Sequence, residues 1–266
     1  MFGLIVLVAL IVGVVLGVYF GGLDPRRIDI RAVRQAPGPA HLLGTDLAGR
    51  DVWARVVHGA ATSLLVGFGS VAIYAFIGTV VGLIAGYFGG LADQILMRLT
   101  DAVLSVPPLL LIIVFVSAVG PSLVSVLTVI GLLGWPGVAR LVRGQVLALR
   151  QAEFVVASRV VGVGAPRMIV RHVFPNALGP LSVAATFGVA SAILLEAGIS
   201  FLGLGVQPPA PSLGTMINEA RSPTVLQGLP WMWLPAGVLI AITVLAVNFV
   251  GDGLRDALDP RGTRGG

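Results

Sequence analysis

Residues 140–176 read RLVRGQVLALRQAEFVVASRVVGVGAPRMIVRHVFPN. Arg140, Arg143, Arg150, Arg159, Arg167 and Arg171 stand there against a single acid, Glu153, and long uncharged apolar runs flank the stretch on both sides. A segment this rich in arginine, set between runs that suit lipid, is expected to stand outside the hydrocarbon, in water or among headgroups. Glu153 to Val161 can form a short helix ended by Gly162 and Gly164. Pro166 is placed to start a second helix, and Pro175 is expected to terminate it. Phe154, Ala157 and Val161 fall along one side by their spacing of three and four. A short, partly apolar helix of this kind can lie flat on a membrane surface, dock into a groove of a soluble partner, or be plain loop. The residues alone leave the three open.

The composition supports the word membrane. Of 266 residues, 56% are hydrophobic and 11% charged, against roughly 25% charged in an ordinary globular protein. All 17 basic residues are arginine, and the formal charge is +5. Because the arginines lie in gaps between apolar runs, this excess points to headgroups rather than nucleic acid. With no cysteine, neither a disulfide framework nor a thiolate metal site is available.

Outward from the central stretch, the apolar runs are expected to make six spans. Residues 1–22 form the first, read as an uncleaved helix because no basic residue precedes it and it ends in Tyr19, Phe20, Gly21 and Gly22. Residues 23–60 form an extracytoplasmic loop closing on GTDLAGRDVWARVVHGA (44–60), a turn and a short helix leading into the membrane. The remaining core, residues 61–253, begins with a second span over about Thr62–Gly86, followed by a short amphipathic piece carrying Asp93, Arg98 and Asp101. Ala102 to Ala139 is uncharged for 38 residues; one helix of that length would be about 57 Å long, nearly twice a bilayer core. It is therefore divided at Gly120–Pro121 into a third span, Val103–Val119, and a fourth, Leu123–Val142. Pro107 and Pro108 predict an offset or kinked start to the third. The central loop, 143–175, precedes a fifth span running from Phe174 past Glu196 to about Phe201. A Pro- and Gly-rich loop, 203–230, leads to a sixth span opened by Trp231 and Trp233, which suit an interfacial belt. Residues 254–266 are a polar cytoplasmic tail, expected to fray beyond Pro260. An even number of spans puts both termini on one side. Ten arginines fall on that side, among them Arg98, Arg255, Arg261 and Arg264, against seven on the other; the positive-inside bias makes it the cytoplasm.

Several function classes fit six spans. Glu196, near the outer end of the fifth, and Asn248, near the inner end of the sixth, are the polar groups that could line a pathway; Glu196 could equally pair with Arg221 or cap a helix. No internal inverted repeat is evident. Asp46, Asp51 and His58 could be read as metal ligands, but caps and interfacial charges explain them better. The motifs HExxH and GxSxG do not occur. Without a lysine no GxxxxGK[ST] phosphate-binding loop can exist, so any ATP that drives this chain is hydrolysed on another polypeptide.

The stretches 44–60, AGYFGGLADQILMRLTD (85–101), 134–176, EAGISFLGLGVQPPAPSLG (196–214) and GDGLRDALDP (251–260) together resemble the inner-membrane permease subunits of the dipeptide/oligopeptide/nickel family of ABC importers, in particular the second of the two permeases. The resemblance covers nearly the whole chain. It implies an all-α polytopic protein with six transmembrane helices, the type I ABC importer (MetI-like) permease fold, in the bacterial inner membrane. It implies half of a translocation pathway for dipeptides or oligopeptides, with nickel or another small solute as the alternative cargo, and an autonomous channel or secondary carrier as the competing class. The implied partners are a homologous, non-identical permease, two ATP-binding subunits that carry the ATP and magnesium, an extracytoplasmic binding protein and lipid. No catalytic group, cofactor or metal is implied in this chain. Residues 153–176 resemble the loop that couples to the ATPase. Carried over, Glu153, Ala157, Ser158, Gly162 and Pro175 are the coupling residues, with Ala157 and Ser158 where the motif has paired alanines and Gly162 as its glycine. Val156 departs from the pattern, standing where a glutamate is common.

Overall fold

The computed structural model describes residues 2–22 and 24–258, apart from the side chain of Arg159. Helix α1 covers Phe2–Phe20. Residues 24–51, holding one 3-10 turn, Ile30–Ala32, lead to α2, Val52–Phe88. Then come α3 (Gly90–Leu104), α4 (Pro108–Val119), α5 (Leu123–Leu133), α6 (Trp135–Leu149) and the short α7 (Glu153–Val160). Helix α8 (Ala165–Met168) passes through a π turn, Ile169–Val173, into α9 (Phe174–Phe201). The outer segment contributes α10 (Leu213–Asn218) and α11 (Pro223–Gly228), and α12 spans Leu234–Leu258. Among the described residues, five helices are long and apolar enough to cross a membrane, and six if the bent pair α3–α4 counts as one.

The differences from the expected boundaries have local causes. The second span starts at Val52 rather than Thr62, because Asp51 caps it by accepting from the Ala54 N–H at 2.8 Å. The third was expected as one helix over Val103–Val119. Instead α3 meets α4 at 85° across Ser105–Pro107. The two prolines offer no N–H to continue the ladder, so α4 begins afresh at Pro108. The fourth continues beyond Val142 to Leu149, breaking only at Gly134 between α5 and α6. Pro175 does not terminate a helix. It sits in the first turn of α9, directly after the π turn, and Ala165–Phe201 is one helical passage of 37 residues. The wider turn at Ile169–Val173 absorbs the ring and the lost donor, which a regular α ladder could not do without a sharp kink. The sixth helix carries Arg255 and runs on to Leu258. Pro260, Arg261 and Arg264, and with them most of the expected tail, lie outside the described residues.

Helix α2 is the hub. It packs against α1, α5, α6, α9 and α10. Against α6 it presents Gly78, Gly82 and Gly86, one per turn. A Cβ on Gly82 would lie 2.6 Å from the Ala139 carbonyl oxygen and 2.7 Å from the Val142 Cβ. In lipid, apolar surface alone gives helices little reason to associate, and close backbone approach through small residues supplies the dispersion contacts. Val138, Ala139, Val142 and Val146 fill the facing surface. The start of α1 lies on the later part of α12, where Gly3 abuts Phe249.

Three arginines of the central stretch are tied back to the body. Arg143 grips Asp93 of α3 through Nε at 2.5 Å and Nη2 at 2.6 Å. Arg140 pairs with Asp101 at 2.7 Å, and Arg150 donates to the Tyr87 carbonyl at 3.3 Å. Helix α6 is thereby fixed to α3 and to the end of α2, just before the chain turns into α7.

Candidate functional site

Helix α7 forms where sequence pattern placed a short helix, and its end has a clear cause. Gly162 adopts φ +84° and the Val163 N–H reaches back to the Ser158 carbonyl at 3.1 Å. That bond, spanning five residues with a left-handed glycine beside it, is a helix C-terminal closure that an L side chain enters only with strain. Val155 points inward and is fully buried, as are Met168 and Val173 across the turn. The opposite side is open: Phe154, Val156, Val160 and Val161 are exposed, the last two at 85% and 81%. Ser158 returns its hydroxyl to the Phe154 carbonyl. Glu153, Ala157, Ser158 and Gly162 thus share one short element anchored by a single buried valine, whereas Pro175 belongs to the first turn of α9. An exposed apolar helix face fixed to a rigid frame suits insertion into a groove of another protein.

A second constellation lies at the other end of the molecule. Arg55, in the first turn of α2, is 4% exposed. Its Nη1 donates to Asp46 Oδ2 at 2.5 Å and to Glu219 Oε1 at 2.7 Å. Arg50 Nε adds a bond to the same Asp46 oxygen at 2.6 Å, while Asp46 Oδ1 accepts from the Ala48 and Arg50 N–H groups. Burial, the larger cause, pushes the Glu219 carboxyl up, and the Arg55 guanidinium pulls against it. One arginine therefore joins the first loop, the start of α2 and the 213–221 segment. Arg55→Ala would leave Asp46 buried and under-neutralised and is expected to cost about 3–5 kcal/mol. A thermal unfolding curve in detergent would show the loss, and an unchanged midpoint would contradict it.

Asp46, Asp51 and His58 act as caps and local partners, as expected, rather than as a metal trio. Asp51 spends one oxygen on its cap and the other on His41 Nδ1 at 2.8 Å, and His58 Nδ1 faces the Ala54 carbonyl at 3.0 Å. Among the described residues, no group of three His, Asp or Glu is placed to hold a metal ion.

Glu196 is fully buried and does not meet Arg221. Its Oε2 accepts from the Ser63 hydroxyl of α2 at 2.7 Å and its Oε1 from the Ser200 hydroxyl at 2.6 Å. Arg221 instead lies over the Phe201 ring, 5.5 Å from its centroid. Asn248 is half-buried on α12 and takes no part in the Glu196 cluster. An apolar cavity of about 440 Å³ is bounded by α4, α5, α6 and α9, with Tyr74, Ile112, Phe187 and Ser191 in its wall. Neither Glu196 nor Asn248 lines it. The Trp231 indole, expected in an interfacial belt, donates to the Thr45 carbonyl at 3.3 Å and so ties the two outer loops together.

Sequence reasoning missed the Arg55 cluster and the serines around Glu196. An arginine amid apolar helix residues was the available signal for the first. Nothing in the local sequence of Ser63 marks the second.

Residues 78–264 match the family model for the inner-membrane component of binding-protein-dependent transport systems. The chain belongs to that family. A Brucella suis protein named as a peptide permease is 46% identical over 98% of this chain and 86% of its own length. The dipeptide transport system permease of Alkalihalophilus pseudofirmus is 44% identical over 85% of this chain and 74% of its own length. An inward-facing MetNI methionine ABC transporter structure shares the fold, with a TM-score of 0.61 at 22% identity, covering 77% of this chain and 96% of that one. This is therefore a multi-pass inner-membrane permease subunit of an ABC importer. It is not itself an enzyme and carries no cofactor of its own: ATP is hydrolysed on partner subunits, and a binding protein supplies the solute. The autonomous channel or carrier is set aside.

Proposed function

We propose that this permease carries short peptides, pairs with a homologous but non-identical permease, and receives its stroke from two ATP-binding subunits through α7. The single observation that carries the coupling role is the open apolar face of α7, held on the frame by Val155. Nucleotide binding draws the ATPases together, α7 moves with them as a rigid piece, and the spans rock between inward- and outward-facing arrangements. The wall of the 440 Å³ cavity suits the purpose: largely apolar, with the Tyr74 and Ser191 hydroxyls, it fits side chains of varied shape better than a bare divalent cation. The names of the relatives point to peptides as well. Counting α3–α4 as one broken span gives six crossings. The packing of Gly3 on Phe249 supports both termini on one side, and the arginine bias makes that side cytoplasmic. Loops 23–51 and 203–230 then face the binding protein.

The absence of cysteine makes a clean test of the coupling surface. Val160→Cys is expected to react readily with a maleimide when the permeases are expressed without the ATP-binding subunits, and to be protected about tenfold in the assembled importer. Equal labelling in both would contradict docking through α7.

A further inference from the structure

The Glu196 cluster has a direction that the importer mechanism described so far does not use. Two donor chains converge on the carboxylate. In one, the Leu213 N–H donates to Ser63 Oγ at 3.3 Å, and Ser63 donates to Oε2. In the other, Ser212 Oγ approaches Ser200 Oγ at 3.4 Å, and Ser200 donates to Oε1. Both chains begin at the start of α10, and both end on one residue of α9, with Ser63 contributed by α2. Ser63 and Ser200 each donate to a different carboxylate oxygen, so both oxygens of Glu196 serve as acceptors.

The surroundings leave the segment little play. Helix α10 is wedged among α2, α9 and α12. Leu213 and Met216 are buried with Val52, Ala60, Ala236 and Ile240. A Cβ on Gly214 would lie 2.6 Å from the Ala197 Cα, and one on Gly59 would lie 3.1 Å from the Ser212 carbonyl carbon. Helix α10 is thus a wedge driven into the outer end of the bundle, and the exposed turn around Gln207–Pro209 leads straight into it.

The far end of the same rod lies at α7. Ala165–Phe201 is one passage of 37 residues, roughly 55 Å at 1.5 Å per residue. It starts three residues after Gly162, where α7 closes. We propose that Glu196 is a positioning residue that locks α10 to α9 and α2, so that a load placed on the outer turn by the binding protein is passed along α9 to the ATPase-facing helix. This rests on the importer reading above. Without the carboxylate, α10 becomes a loosely held plug, and the outer turn can move without moving α9.

The test uses the whole importer in proteoliposomes, with and without its substrate-loaded binding protein. Glu196→Gln turns one acceptor oxygen into a donor that faces a hydroxyl already donating. Basal ATP hydrolysis is expected to stay within about twofold of the parent, while stimulation by the loaded binding protein falls about tenfold. Met216→Cys, buried in the parent, is expected to label about tenfold faster with an impermeant maleimide in the Glu196→Gln background. Ser200→Ala, which removes one of the two donors, should weaken stimulation in the parent and add little on top of Glu196→Gln. Should Glu196→Gln fail to assemble, Ser200→Ala carries the same readouts with the carboxylate in place. Unchanged stimulation together with unchanged Met216→Cys labelling would overturn the proposal. If the parent complex itself shows no ATP-dependent uptake, the importer reading fails instead, and the labelling still decides whether Glu196 holds α10.

Discussion

Gly82→Leu is expected to abolish folded permease in membrane extracts, while Gly144→Leu on the facing helix leaves its level near that of the parent. At Gly82 the new Cβ would stand 2.6 Å from the backbone oxygen of Ala139 and 3.0 Å from the Arg143 nitrogen. These are backbone atoms, so no rotamer change relieves the clash; α2 and α6 must move apart. Separation opens the Val142 and Val146 contacts along several turns and strains the Arg143–Asp93 pair. We expect a cost of about 3 kcal/mol or more. Gly144 has nothing within 4 Å of its would-be Cβ. Quantitative size-exclusion of a tagged protein would show the difference. Equal yields from the two variants would mean that the α2–α6 seam is looser than described.

Gly162→Pro is expected to abolish transport without abolishing assembly. Proline holds φ near −65°, whereas residue 162 sits at +84°. The variant cannot close α7, and the Val163-to-Ser158 bond is lost with it. The surrounding space is empty and the spans are anchored elsewhere, so the damage stays local. Uptake should fall more than about tenfold while the subunits still co-purify. Gly162→Ala separates strain from closure: it meets no neighbour and should cost only about 1 kcal/mol in the αL conformation, leaving most of the uptake. Full uptake by Gly162→Pro would show that α7 is not the element that receives the stroke.

How much of this was legible in the chain depends on the kind of information each feature needs. The apolar runs showed where the spans lie, because lipid admits few charges and each run declares itself locally. The α7 helix and its glycine were legible for the same reason: spacing and a helix stop act over one or two turns. Boundaries went astray where a distant group altered a local rule. Arg55 reads as part of a short helix ahead of the second span, yet it lies within α2 itself because Asp46 and Glu219 neutralise it, and Glu219 arrives from the far end of the sequence. Pro175 reads as a stop, yet a π turn ending two residues earlier lets the helix continue. Glu196 reads as a charge in search of a cation, and Arg221 in the loop that follows is a candidate. Its partners are two serine hydroxyls, one of them 133 residues away. Serine in an apolar helix bonds its own backbone so often that Ser63 carries no visible mark.

The most direct test of the central claim, that this chain is a passive half-pathway driven by a separate ATPase, is uptake into proteoliposomes. The chain would be reconstituted alone and with its partner permease, ATP-binding subunits and binding protein, and labelled dipeptides, longer peptides and Ni²⁺ would each be offered with and without ATP. The expected result is uptake of peptide only by the full complex, only with ATP and only with the binding protein present. Uptake by this chain alone, indifferent to ATP, would contradict it.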